Sequence, residues 1–240
     1  MSAAAIIQAR AGSTRLPGKM LEVVHDRSVL GHVIARARAV AGVAQVVVAT
    51  SVLERDDRVA AEAARHGAEV FRGDETDVLG RYHACARGLD AETIIRICGD
   101  CVVLDPDEAA RLLAAHGAGA DCTHNKHDRG VVSGAGAEAI AMTALERAHR
   151  EATSAYDREH VTPYIRGGGD RFTVVEVDAV RERQASELDL SLDTMEDLAA
   201  LREIARRLTV PLATAPVAEI IRVARTHGLL RKPALEGAQA

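Results

Sequence analysis

Four short apolar runs, Ala3 to Ile7, Gln45 to Thr50, Glu69 to Phe71 and Thr93 to Ile97, alternate with stretches of helical spacing at Val29 to Val40, Arg55 to His66 and Thr76 to Gly88. Runs this short and this apolar must be covered on both faces, and helices that cross over between parallel neighbours do that. The pattern predicts a βαβαβαβ half with a parallel sheet, in which Asp74 to Thr76 cap the third helix. In such sheets ligands bind at the carboxyl ends of the strands. Residues just after Ile7, Thr50, Phe71 and Ile97 are therefore the first place to look for chemistry.

Beyond Asp105 the pattern is less regular. We expect a helix at Pro106 to His116, capped by Asp105, a strand near Asp121, a turn-rich segment from His124 to Gly136 and a strand at Glu138 to Met142. Helices follow at Thr143 to Thr153 and Ala155 to Ile165, then a glycine turn at Gly167 to Gly169. Strands at Phe172 to Val177 and Leu188 to Leu192 and helices at Met195 to Leu208 and Ala218 to His227 close the chain, with a frayed tail after Lys232. A chain of 240 residues lies within what one core supports, so we expect a single domain over residues 1–231, made of a nucleotide-binding half (1–105) and an acceptor and dimer half (106–231), then a flexible tail (232–240).

The segment directly after the first run is QARAGSTRLPGK, Gln8 to Lys19, and it holds every charge among the first twenty-one residues: Arg10, Arg15 and Lys19, with no acid. With Gly12, Ser13 and Gly18 it offers free backbone N–H groups, a hydroxyl and cations in one turn, which is phosphate-binding chemistry. It is not a Walker A loop, since five residues separate Gly12 from Gly18 and Met20 stands where a Ser or Thr would bind magnesium; it is not a dinucleotide fingerprint either.

From Ala9 to Lys19 this loop closely matches A-R-x-x-S-x-R-L-P-G-K, the form written by cytidylyltransferases for acidic sugars. ATS (Ala49 to Ser51), VFRGDETDVLGRY (Val70 to Tyr82), RICGDCVVLDP (Arg96 to Pro106), REHVTPYI (Arg158 to Ile165) and LDLSLDTMEDL (Leu188 to Leu198) then follow in order. The chain resembles the spore-coat polysaccharide (SpsF-like) branch of that family, related to the acylneuraminate and keto-deoxy-octulosonate cytidylyltransferases. The resemblance implies an α/β fold of the nucleotide-diphospho-sugar transferase (Rossmann-like) type, with a mixed, mostly parallel sheet flanked by helices. It also implies a homodimer that uses Mg²⁺ to move CMP from CTP to a small acceptor (a sugar acid, sugar phosphate or phosphonate) with release of pyrophosphate.

Carried over residue by residue, the resemblance assigns catalysis to Arg10, Arg15, Lys19 and Asp100, and nucleotide binding to Gln8, Ala9, Gly12, Ser13, Thr50, Arg72, Gly73 and Asp77. Arg72 would donate to cytosine O2. Asp100 and Asp193 jointly hold the metal, and Glu138, Arg158, Glu159 and His160 meet the acceptor. The residues also allow plainer accounts: Asp193 as a helix N-cap, since Thr194 to Asp197 open a helix; Asp77 with Arg81 as a surface ion pair at i,i+4; and Thr50 and Ser51 as a strand-end turn. His160 is either an acceptor-side base or a helix histidine satisfied by a neighbouring carboxylate, and His124 with His127 is a metal pair or a polar loop. This chain departs from the family around the acceptor. N-x-x-P-x-G-x-D-V-E-V is replaced by the run from Asn125 to Ile140, which keeps Glu138, and Asp189 stands where the branch often has Arg.

Composition narrows the alternatives. A net charge of -5 favours no nucleic-acid partner, so the basic loop acts locally. No apolar run reaches the ~18 residues that span a bilayer, and the N-terminus does not read as a signal peptide, so the expectation is a cytoplasmic protein. Cys98 and Cys101 form a C-x-x-C, but in a segment that the resemblance gives to metal and nucleotide, and we set a redox or zinc reading aside. Rival functions are a nucleotide-binding regulator without turnover, against which both Asp100 and Asp193 count, and a glycosyltransferase on the same type of fold, which would want a D-x-D motif. A transferase using UTP or another nucleotide is a third rival.

Overall fold

A computed structural model describes residues 2–117, 119–125 and 129–229. The first half follows the alternation closely: β1 (Ala3–Gln8), a small ribbon of β2 (Val23–Val24) and β3 (Arg27–Ser28), α1 (Val29–Arg38), β4 (Val43–Ser51), α2 (Asp57–Arg65), β5 (Glu69–Gly73), α3 (Val78–Ala86) and β6 (Thr93–Cys98). Ser28 caps α1, its Oγ accepting the Gly31 N–H at 3.0 Å. The cap of α3 is Asp77, which accepts the Gly80 N–H at 2.8 Å. Asp74 instead accepts from the N–H groups of Thr76 and Asp77, both at 2.8 Å, so the expected cap belongs to a turn that leads into the helix.

The later elements are α4 (Pro106–His116), β7 (Cys122–His124), β8 (Glu138–Ala141), α5 (Met142–Glu151), α6 (Ala155–His160), α7 (Pro163–Arg166), β9 (Val174–Glu176), α8 (Met195–Arg207) and α9 (Val217–Thr226). Two expectations change here. The helix foreseen from Ala155 to Ile165 breaks at Val161, whose φ of 71° lies in the left-handed region, and α7 restarts with Pro163 in its first turn. The stretch Leu188 to Leu192 joins no sheet. It makes a parallel bridge from Asp189 to Ser133, held by the Leu190 N–H on Ser133 O at 3.0 Å.

Among the described residues the main sheet has seven strands in the order β5-β4-β1-β6-β8-β7-β9. All pairs are parallel except the two made by β8, as expected for a mixed, mostly parallel sheet. Alternation along each strand divides the core in two. Ala5 and Ile7 of β1, Val48 of β4 and Ile95 and Ile97 of β6 join α1, α2, α4, α8 and α9 on one face. Ala4 and Ile6, Val47 and Ala49, and Ile94 join α3, α5 and α7 on the other. The core is aliphatic, as a chain without Trp and with two Phe and three Tyr requires. Tyr82 spends its buried hydroxyl on the carbonyls of Ile6 and Ile97, at 3.1 and 3.2 Å, and so ties α3 to the ends of the two central strands. Among the described residues no helix is long and apolar enough to cross a membrane.

Candidate nucleotide site

The parallel strands β1 and β6 pair in register from Ala3 with Thr93 to Gln8 with Cys98. The loop after β1 and the turn after β6 therefore emerge side by side, and between them opens a cleft of about 450 Å³. Gln8, Ala9, Arg10, Gly12, Ser13, Arg15, Lys19 and Asp100 line it, and Asp193 comes in from the segment before α8. The loop is anchored from below. Asp56, fully buried, accepts the Ala11 N–H at 2.6 Å and also holds Ser51, through its N–H at 3.3 Å and its hydroxyl. Gly18, at φ 74°, donates its N–H to Ala11 O at 3.1 Å and closes the loop on itself; a side chain there would be strained. Sequence reasoning passed over Asp56, because the expected helix from Arg55 to His66 takes it in as an ordinary helical position, whereas α2 begins only at Asp57.

Lys19 is the hub of the cleft. Its buried ammonium donates to Asp100 Oδ2 at 3.0 Å, Asp193 Oδ1 at 3.0 Å and Leu192 O at 2.7 Å. Burial pulls the Lys19 pKa down, but Asp100 and Asp193 outweigh that and carry it above the ordinary value. Arg15 reaches the other oxygen of Asp193 at 3.0 Å. Asp193 is not the cap of α8: Thr194 is, accepting from the Asp197 N–H, while Asp197 Oδ2 accepts the N–H groups of Asp193 and Thr194 at 2.8 Å each. This capping box leaves the Asp193 carboxylate to face the cleft. Asp105 does cap α4, through the N–H groups of Asp107 and Glu108.

Asp100 and Asp193 thus converge on a single cation, the Lys19 ammonium. Two carboxylates open to a polar cleft are a donor set that Mg²⁺ accepts when phosphate oxygens and waters supply the remaining ligands. The residues fit such an ion.

Other expected contacts lie elsewhere. Arg72 turns away from the cleft and holds the turn after β4, through Ser51 O and Leu53 O, both at 2.9 Å, and Asp57 at 2.6 Å. Thr50 is fully buried, and Ser51 spends its hydroxyl on Asp56. Gly73 ends β5 against the Arg81 side chain, where a Cβ would meet Arg81 Cγ at 3.0 Å. Asp77 pairs with Arg158, not Arg81. That bond, together with the Gly80 N–H, holds the Asp77 carboxyl below its ordinary pKa in spite of the opposing effect of burial. Arg158 also donates to His149 O at 2.8 Å and so staples α6 to α3 and α5. Its neighbours Glu159 and His160 do line the cleft.

Arg81, which the spacing offered as a surface partner of Asp77, turns inward instead. It is 1 % exposed, and it lines the cleft. Its Nη1 donates to the Asp74 and Glu75 carbonyls, and Arg10 grips the same Glu75 O at 2.9 Å. Nε and Nη2 of Arg81, the two donors that form a side-on fork, have no partner among the described residues. Elsewhere the chain turns this fork on carboxylates, as Arg65 does on Glu62 and Arg206 on Glu203. The available signal was the spacing, since Arg81 lies four residues beyond the cap of a helix that starts at the ligand edge of the sheet.

Residues 4–219 match the model of the cytidylyltransferase family. The chain belongs to that family. It is accordingly a nucleotidyltransferase. The spore coat polysaccharide biosynthesis protein SpsF of Bacillus subtilis is 32% identical over 204 residues, covering 83% of this chain and 84% of SpsF. A cytidylyltransferase from Leptospira borgpetersenii has the same fold with a TM-score of 0.89 at 26% identity, covering 99% of this chain and 100% of that one. CMP:2-keto-3-deoxy-manno-octonic acid synthetase, solved with CTP, shares the fold at a TM-score of 0.68 and 21% identity, over 87% of this chain and 100% of its own.

In this cytidylyltransferase a second, less polar cavity of about 280 Å³ adjoins the cleft along Cys98, with Arg96, Cys101, Val132, Ala137 and Glu138 in its wall. Glu138 is buried and binds Arg96 at 2.8 Å and the Thr162 hydroxyl at 3.0 Å. Arg96 in turn reaches Gln8 Oε1 at 3.4 Å, so one polar chain links the two cavities. His124 is a buried strand residue, 3.6 Å from Glu176; its expected partner His127 and the tail 232–240 lie outside the described residues.

Proposed function

We propose that this chain transfers CMP from CTP to a small acceptor, with the triphosphate along the Ala9 to Lys19 loop. The observation that carries this is the convergence of Arg15, Lys19, Asp100 and Asp193 at the open end of two paired strands, beside a loop whose Gly12 and Ser13 face the same cleft. The N–H groups of Ala11, Ser13, Leu16, Gly18 and Lys19, which the sequence offered as free donors, are instead bonded within the protein, so cations carry the site: Arg10, Arg15 and Lys19 neutralise the triphosphate and then the departing pyrophosphate. Gly12 leaves room for it, and the Ser13 hydroxyl can donate to it. Asp100 and Asp193 would hold Mg²⁺, which when bound supplies positive charge across the phosphates. The acceptor oxygen forms a bond to the α-phosphorus, the bond to the bridging oxygen breaks, and that electron pair leaves with pyrophosphate. His160, on the wall of the first cleft, would receive the acceptor's proton where the acceptor reaches across from its own cavity.

Arg81 takes over the base-reading role expected of Arg72. Its free Nε and Nη2 form two parallel donors, which match the adjacent O2 and N3 acceptors of cytosine. Uracil presents N3–H as a donor at that edge and is disfavoured. The second cavity, closed by Arg96 and Glu138, is the acceptor's seat; part of its wall, from Val131 to Glu138, comes from the half of the chain (106–231) that the sequence assigns to the acceptor. Glu159 stays on the nucleotide side, and Arg158 acts by positioning α6. The homodimer rests on the family resemblance alone.

Titration calorimetry with CTP and Mg²⁺ tests this reading. Binding that depends on Mg²⁺, exceeds that of UTP and loses its metal dependence in Asp100→Asn is the expected outcome. A chain that binds no nucleotide, or binds all four alike, would sink it.

A further inference from the structure

We propose that Cys98 and Cys101 are a dithiol modification site, closed to a disulfide by exchange with low-molecular-weight disulfides, and that closure disables the Asp100 corner of the nucleotide cleft. The backbone already has the required shape. The Cys101 N–H donates to Cys98 O at 3.0 Å, closing a four-residue turn whose ends lie within about 7 Å; a disulfide spans Cα atoms roughly 4.4 to 6.8 Å apart. Both side chains line the same cavity, and both are partly exposed. Cys85 and Cys122, by contrast, are buried, so the chain carries its own unreactive controls.

The turn between the two thiols has little slack. A Cβ on Gly99 would meet Met20 Sδ at 2.7 Å and Gln8 O at 2.8 Å. The Gly99 N–H is tied to Gln8 O at 2.8 Å, and Asp100 O accepts from the Val102 N–H at 2.9 Å. Asp100 itself holds Lys19. A bond of about 2.05 Å between the two side chains that flank Asp100 therefore passes any adjustment of the turn to the residue on which Lys19 and the metal depend. The exchange balances: one thiolate attacks a sulfur of R–S–S–R and expels RS⁻, and the second thiol then attacks the mixed disulfide and expels another. The protein loses two electrons and two protons, and R–S–S–R becomes two RSH.

The thiol chemistry stands by itself; the loss of function rests on the nucleotide reading above. The whole chain is incubated with glutathione disulfide and alkylated, and its peptides are weighed. In parallel, Mg²⁺-dependent CTP binding is measured before and after oxidation and after reduction with dithiothreitol. Expected are a loss of about 2 Da confined to the peptide joining Cys98 and Cys101, CTP binding weaker by at least about tenfold, and recovery on reduction. The double variant with Cys98→Ser and Cys101→Ser binds CTP equally with and without oxidant. Mixed disulfides with no internal bond would overturn the dithiol site, and an internal bond with CTP binding unchanged would overturn the gating. If the reduced chain binds no CTP, the nucleotide reading falls and the gating with it, while the mass still decides the disulfide.

Discussion

Lys19 binds two carboxylates and a carbonyl from segments that lie 81 to 174 residues away in sequence, which makes it both a structural and a chemical group. Lys19→Ala is expected to lower turnover by ~10²- to 10³-fold and to leave Asp100 and Asp193 facing each other without their shared cation. Lys19→Arg keeps the charge but not the compact ammonium, and is expected to recover part of the loss. At Arg81, replacement by Lys keeps a cation and removes the fork. The ratio of CTP to UTP affinity should then fall by about tenfold, the order expected when a bidentate contact worth 1–3 kcal/mol is removed. Arg72→Ala should leave that ratio alone, since Arg72 faces the turn after β4. A preference that collapses in the Arg72 variant and survives in the Arg81 variant would reverse the assignment. The sequence showed Arg10, Arg15, Lys19 and Asp100 because their motifs sit at strand ends. It could not show which of Arg72 and Arg81 turns inward, because that depends on which carbonyls the turn after β4 leaves open.

Among the elements, the segment that carries Asp193 is positioned by the start of α8. Thr194→Ala removes one half of the capping box and should cost about 1 kcal/mol of stability, read as a shift in denaturation midpoint, together with a raised KM for Mg²⁺ as Asp193 loses its fixed exit from the helix. Tyr82→Phe should cost a similar amount, since it leaves the Ile6 and Ile97 carbonyls without their shared donor. The strands and helices of the first half were legible to within about two residues, because burial on both faces makes their apolar runs unambiguous. In the second half α4, β8, α5, α8 and α9 were legible to the same margin, but two segments were not. Leu188 to Leu192 alternates like a strand, yet Leu188 O and the Leu190 N–H go to Ser133, the Leu188 N–H to Ala185 O and the Leu192 N–H to Asp100 O, not to a sheet neighbour, a tertiary choice that periodicity cannot register. The break at Val161 was equally hidden, since a β-branched residue at positive φ goes against local preference and is held by the packing of α6 and α7.

For the whole molecule, acid should act through buried histidines first. His32 and His116 both have pKa values held below the ordinary one by burial. The unfolded chain therefore takes up protons that the folded chain refuses, and stability falls as pH drops below about 6.5. His32 donates from Nε2 to Val24 O at 2.8 Å while its Nδ1 has no partner among the described residues, so protonation would bury a second N–H unmet. Urea midpoints should decline between pH 7 and pH 5, and His32→Gln should flatten that decline; an unchanged slope would show that His32 does not carry it. A second decline, below about pH 4.5, should follow as Glu62 is protonated, because the Arg65 guanidinium holds its carboxyl down to about 2. Stability from that carboxylate is full above its unfolded pKa and is lost on acidification.

The claim at the centre is cytidylyl transfer at the cleft between β1 and β6. Pyrophosphate release is measured with Mg²⁺ and each of CTP, UTP, ATP and GTP against keto-sugar acids, sugar phosphates and phosphonates, with Asp100→Asn alongside. The account predicts release with CTP and one acceptor class, absent from the variant. Release that persists undiminished in Asp100→Asn, or that follows another nucleotide in place of CTP, would contradict it.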